Sequence, residues 1–147
     1  MGNDVTKPYV QLFGNDDLTF AAHVAHYPVC WAYNVGLPGM VFDDLTGKPL
    51  LIQVGTLDGY DDGSEQCANL ISSLPDSDQS AVSLNVYPDA QHGWDRLQPK
   101  ITVLDPFSHR GVGGYVELAP NPGMAHQSRT AVVRFLRDAL GPDSDDR

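Results

Sequence analysis

Apolar positions fall into short runs separated by polar, Gly and Pro clusters. Leu50-Leu-Ile-Gln-Val54 is almost continuously apolar, as expected of a strand buried on both faces of a parallel sheet. Val82-Ser-Leu-Asn-Val-Tyr87 predicts a further strand, and Phe20-Ala-Ala-His-Val-Ala-His-Tyr27 another, closed by Pro28. From Ser64 to Leu74 the residues Cys67, Leu70, Ile71 and Leu74 follow an i, i+3, i+4, i+7 spacing, which predicts one apolar face of a helix. Pro75-Asp-Ser-Asp-Gln79 breaks it. A last helix is predicted from Asn121-Pro122, with Asn as N-cap and Pro at the first helical position. Ala125, Val132, Phe135, Leu136 and Ala139 form its apolar face, and Gly141-Pro142 stops it.

Between these elements the pattern weakens. Residues 1–19 are mixed, with Asn15-Asp-Asp17 read as a turn, and Asn34, Gly36, Pro38 and Gly39 mark a connection. Residues 93–123 are rich in Gly and Pro and are expected to form a long irregular loop, with 98–123 a candidate lid. Strands separated by helical or loop crossovers predict parallel pairing, hence an α/β protein of about three parallel strands flanked by helices. The folded unit is expected over 20–141, after a weakly patterned segment 1–19 and before a polar tail 142–147.

Composition narrows the class. The chain has 147 residues, 41% of them hydrophobic and 19% charged, which suits one domain with its own core. No run of 18 apolar residues predicts a membrane span. Met1-Gly-Asn-Asp-Val-Thr-Lys7 lacks the basic and apolar regions of a signal peptide, so a cytoplasmic location is the default expectation. The formal net charge of −10 favours solubility and repels phosphate backbones and anionic lipid, which argues against nucleic-acid and membrane partners. The two cysteines fit no zinc spacing and define no compartment.

In open parallel sheets ligands bind beyond the C-terminal ends of the strands. Asp58 lies just past the second strand and His92 five residues past Tyr87, so adjacent strands would bring them to one rim. A carboxylate accepting from an imidazole N–H fixes the tautomer and stabilises the imidazolium formed in general-base catalysis. The same residues also read as a loop Asp capping the 64–74 helix and a surface His, and the residues leave both readings open. Asp58-Gly-Tyr-Asp-Asp-Gly63 does not suit calcium, because the EF-hand frame places Tyr60 at position 3 and Asn69 where a Glu is needed. His23 and His26 fall on opposite sides of a strand and do not readily share a metal. Gly111-Val-Gly-Gly114 lacks the strand and helix of a phosphate loop. Trp31, Tyr33 and Trp94 read as packing aromatics before pocket walls. No cofactor and no metal site is expected.

Three segments in order carry a resemblance: Phe20-Ala-Ala-His-Val-Ala-His-Tyr-Pro-Val-Cys30, Thr46-Gly-Lys-Pro-Leu-Leu-Ile-Gln-Val-Gly-Thr-Leu-Asp58 and Val86-Tyr-Pro-Asp-Ala-Gln-His-Gly-Trp-Asp95. Together they resemble the C-terminal half of the dienelactone hydrolases of the α/β-hydrolase superfamily, from about Phe20 to Leu140. The resemblance implies a partial α/β-hydrolase fold, Asp58 as triad acid, His92 as triad base and an ester or lactone as substrate. It also places Cys30 and Cys67 where some relatives carry a cysteine pair, which leaves a disulfide and two thiols as the alternatives.

The sequence contains no G-x-S-x-G or G-x-C-x-G turn to present a nucleophile. Cys30, Cys67, Ser64 and Ser108 all lack that context. The expectation is a half-domain without its nucleophile half, inactive alone. The alternative is a non-catalytic module that forms homo-oligomers or binds a partner through the exposed edge of strand 20–27.

Overall fold

The computed structural model describes residues 19–42 and 45–141. Their elements are β1 (His23–His26), α1 (Cys30–Asn34), β2 (Leu50–Gly55), α2 (Glu65–Ser72), α3 (Asp76–Gln79), β3 (Val82–Tyr87), β4 (Ile101–Asp105), α4 (Ser108–Gly111), β5 (Gly114–Leu118) and α5 (Pro122–Leu140). β1, β2 and β3 form a parallel sheet in that order, with Ala25, Ile52 and Leu84 in register. The fold class is therefore α/β. The predicted turn at Asn15-Asp-Asp17 and the tail 142–147 lie outside the described residues.

β2 occupies the centre, and all six of its residues are buried. Alternation sends Leu50, Ile52 and Val54 to one face, where they pack with Ala25, Phe42, Cys30, Cys67, Leu70 and Leu74. α2 covers that face because its apolar stripe matches it. The other face carries His26, Gln53 and Tyr87. Here Tyr87, Ala90, Trp94 and Ala125 form a second cluster, joined by Tyr27 and Met124. α5 lies over this side. Its N-cap is Asn121, whose side chain accepts from the Met124 N–H at 3.2 Å. Ser128 is fully buried and accepts a 3.1 Å bond from the Trp94 indole.

Several expectations need correction. The strand expected over 20–27 is confined to His23–His26. The connection after Pro28 contains the five-residue helix α1, and the expected break after Leu74 contains the four-residue helix α3. The stretch 93–123 is not irregular throughout. β4 and β5 pair antiparallel, with Val103 opposite Val116, across the connection 106–113, which contains α4 and in which His109 and Arg110 adopt left-handed φ of 50° and 55°. Gly and Pro in that connection had masked the period-two pattern of the flanking strands. Trp94 is fully buried and Trp31 nearly so, which makes both packing residues. No helix among the described residues is long and apolar enough to cross a membrane.

Candidate active site

The site begins with a glycine. A Cβ on Gly55 would lie 2.1 Å from the Ala90 carbonyl oxygen, so only glycine lets the loop after β3 close onto the end of β2. Backbone bonds lace the two loops together: Thr56 N–H to Tyr87 O at 3.0 Å and Leu57 N–H to Ala90 O at 3.0 Å. The Asp89 N–H adds a 2.9 Å bond to the Thr56 hydroxyl. Asp58 and His92 sit on the two loops joined in this way.

His92 Nδ1 lies 2.8 Å from Asp58 Oδ2. The second Asp58 oxygen accepts the Tyr60 N–H at 2.9 Å, which holds the carboxylate plane. Asp58 has an almost fully buried side chain, whereas that of His92 is 17% exposed, so the imidazole faces outward from a shielded carboxylate. The carboxylate accepts and Nδ1–H donates, which leaves Nε2 as the nitrogen with a free lone pair for a proton. Asp58 does not cap the following helix. Ser64 holds the N-cap position there, so the capping reading is set aside.

Sequence reasoning missed Asp61. It is buried, and its two oxygens accept the N–H groups of Cys30 at 2.9 Å and Trp31 at 2.8 Å, the first turn of α1. Burial pushes its carboxyl up to about 6, against the opposing pull of those two N–H bonds. Cys30 and Cys67 form a disulfide beside it, with Cα atoms 5.0 Å apart. The ligand atoms of Cys30, Asp61 and Cys67 lie within 4.8 Å of one another. Both sulfurs are consumed in the disulfide, so this cluster is not a thiolate set for a metal. No signal within 58–63 could have identified Asp61, because its partners are backbone groups about thirty residues upstream.

Two tyrosines pack against His92. The Tyr27 ring centroid lies 4.5 Å from that of His92, and the Tyr60 centroid 4.6 Å. Tyr27 adopts φ of 39°, a left-handed conformation that costs an aromatic residue about 1–3 kcal/mol. Its hydroxyl donates to Asp95 at 3.1 Å, and that of Tyr60 donates to Asp105 at 2.9 Å. Burial, with the neighbouring carboxylates adding to it, pushes both phenols up to about 12 and keeps them neutral.

The β4–β5 hairpin braces the loop that carries Asp58. Asp62 Oδ1 lies 2.7 Å from His109 Nδ1, and Asp62 Oδ2 accepts Arg110 Nε–H at 3.1 Å. His109 Nε2 lies 3.0 Å from the Tyr115 carbonyl. His109 and Arg110 also donate backbone N–H bonds to Gly59 O and Tyr60 O. Val116 packs so closely that a Cβ on Gly59 would come within 2.8 Å of it. Within the candidate lid 98–123, His109, Arg110 and Val116 thus buttress the loop that carries Asp58.

The sheet separates His23 and His26. His23 is buried on the α2 side, whereas His26 Nε2 meets the Gln53 side-chain amide at 2.9 Å on the other. The remaining serines of interest are engaged elsewhere. Ser108 is fully buried and bonds to the carbonyls of Asp105 and Gly114, and Ser128 donates to the Ala125 carbonyl. No family model, curated protein or solved structure matches the chain.

Proposed function

We propose that this chain supplies the acid and the base of a dienelactone-hydrolase-like ester or lactone hydrolase, on the C-terminal part of an α/β-hydrolase fold. The observation that carries the reading is the 2.8 Å Asp58–His92 bond at the ends of adjacent parallel strands. In that chemistry His92 Nε2 takes the proton of an attacking hydroxyl or thiol as its oxygen or sulfur bonds to the acyl carbon. His92 then returns the proton to the leaving alcohol as the ester bond breaks, and water attacks the acyl intermediate in the same way. Asp58 holds the ring and stabilises the imidazolium between the two transfers.

The nucleophile has to come from outside these residues. Among the described residues both cysteines are in a disulfide, and no nucleophile-elbow motif occurs in the sequence. The chain alone is expected to hydrolyse a p-nitrophenyl ester no faster than background. Joined to a hydrolase N-terminal half bearing a G-x-S-x-G or G-x-C-x-G turn, it is expected to turn the ester over. His92→Ala should then cut the rate on the order of 10⁴-fold or more. A fusion with turnover indifferent to His92→Ala contradicts the proposal.

A second reading, a non-catalytic binding module, has one observation in its favour: Leu104, Phe107, Val112 and Tyr115 are all exposed on and around the hairpin. A folded fusion with no turnover would favour it.

A further inference from the structure

The acid–base pair accounts for one edge of the His92 ring and leaves its two faces unexplained. Tyr27 comes from the end of β1 and Tyr60 from the loop after β2, so two separate chain segments converge on one imidazole. Their rings are inclined to it by 59° and 58°, nearly the same angle. Each ring is also held at its far end, by Asp95 and by Asp105. A side chain anchored at both ends loses little further freedom by contacting a third group, so the contact is preorganised. Ordinary packing requires none of this, and Tyr27 makes its contact from a strained backbone.

We propose that Tyr27 and Tyr60 are positioning residues for His92, packing against its ring so that Nδ1 stays on Asp58. The inference rests on the acid–base reading of His92. Rotation of the ring would carry Nδ1 off the carboxylate, and the flanking rings oppose that rotation sterically. The charged and titratable groups around His92 are Asp58 at Nδ1, Tyr27 and Tyr60 against the ring, Asp95 and Asp105 bonded to the tyrosine hydroxyls, and the buried Asp61. The hydroxyls serve only as tethers, so a phenylalanine should keep most of the effect and a leucine should not.

The test is the tautomer of the His92 ring, read by nitrogen NMR on the chain itself, with Tyr27→Leu, Tyr60→Leu, Tyr27→Phe and Tyr60→Phe as variants. Each leucine variant is expected to gain the Nε2–H tautomer relative to the parent, as the ring leaves Asp58. It should also speed solvent exchange of the Nδ1 proton several-fold. The phenylalanine variants should stay within about a third of those changes. If Tyr27→Leu fails to fold, Tyr60→Leu and both phenylalanine variants still decide the matter. Leucine variants with unchanged tautomer and exchange overturn the proposal. So do phenylalanine variants that shift as far as leucine, because the hydroxyls would then be responsible. No nucleophile is needed for this readout, so it fails or succeeds separately from the hydrolysis assay on the fusion.

Discussion

Ile52 and Gln53 follow one another in β2, and both are sealed from solvent, yet they face sides of the sheet built on different chemistry. Ile52 points into an apolar layer closed by α2 and the Cys30–Cys67 disulfide. Gln53 points into a polar row: the Tyr87 hydroxyl donates to Gln53 Oε1, and the Gln53 amide nitrogen meets His26 Nε2 at 2.9 Å. With Nε2 accepting, the His26 proton sits on Nδ1, which lies 3.9 Å from Asp95 Oδ2, beyond hydrogen-bond distance. Asp95 in turn holds the Tyr27 hydroxyl beside His92. Burial pushes the His26 imidazole down, with Asp95 opposing it, which favours the neutral ring that this row requires. One face of β2 therefore supplies undirected apolar burial, and the other links the sheet to the site through groups whose orientation matters.

The largest effect is expected on the apolar face. Ile52→Ala should lower unfolding free energy by about 2–5 kcal/mol in denaturant titrations, since the packed layer cannot close over the missing atoms. Gln53→Leu keeps the volume and should cost less, about 1–3 kcal/mol, mostly from the stranded Tyr87 hydroxyl. Combining it with Tyr87→Phe should recover part of that loss. The same Tyr87→Phe added to Ile52→Ala should show far weaker coupling. Equal coupling in both pairs would erase the distinction between the faces.

The smallest effect lies outside both faces, at the hairpin. The hydrogen bond to Asp62, then that to the Tyr115 carbonyl, pushes the His109 imidazole above its ordinary value. Both partners accept, so the doubly protonated ring satisfies both. A raised folded value means the stabilisation is fully present below the unfolded histidine range and is lost as pH rises through the folded value. The His109 side chain is 41% exposed, so solvent and salt weaken the pair. His109→Gln should therefore lower Tm slightly at pH 5 and less at pH 9. A difference independent of pH would remove the charge from the explanation.

The same contrast explains which parts of the fold were legible in the sequence. β2 could be read because burial on both faces writes itself as an almost unbroken apolar run, and the edge strand β3 because Val82, Leu84 and Val86 alternate with Ser83 and Asn85. The N-cap of α5 could be read because Asn121-Pro122 fixes a local geometry. Asp58 and His92 stood out because each follows a strand end. The hairpin was missed because Pro106, Gly111, Gly113 and Gly114 outweighed the alternation in Ile101–Asp105 and Gly114–Leu118. Asp61, Tyr27 and Tyr60 were missed for another reason. Their roles are set by partners from distant segments, and no local period encodes which way a buried carboxylate or ring turns.

The central claim is that Asp58 fixes His92 as a base with Nε2 free. Nitrogen NMR of the His92 side chain above its titration tests this most directly. The account predicts the Nδ1–H tautomer in the parent chain and a gain of the Nε2–H tautomer in Asp58→Ala. A parent chain already in the Nε2–H form, or a tautomer balance that Asp58→Ala leaves unchanged, would contradict it.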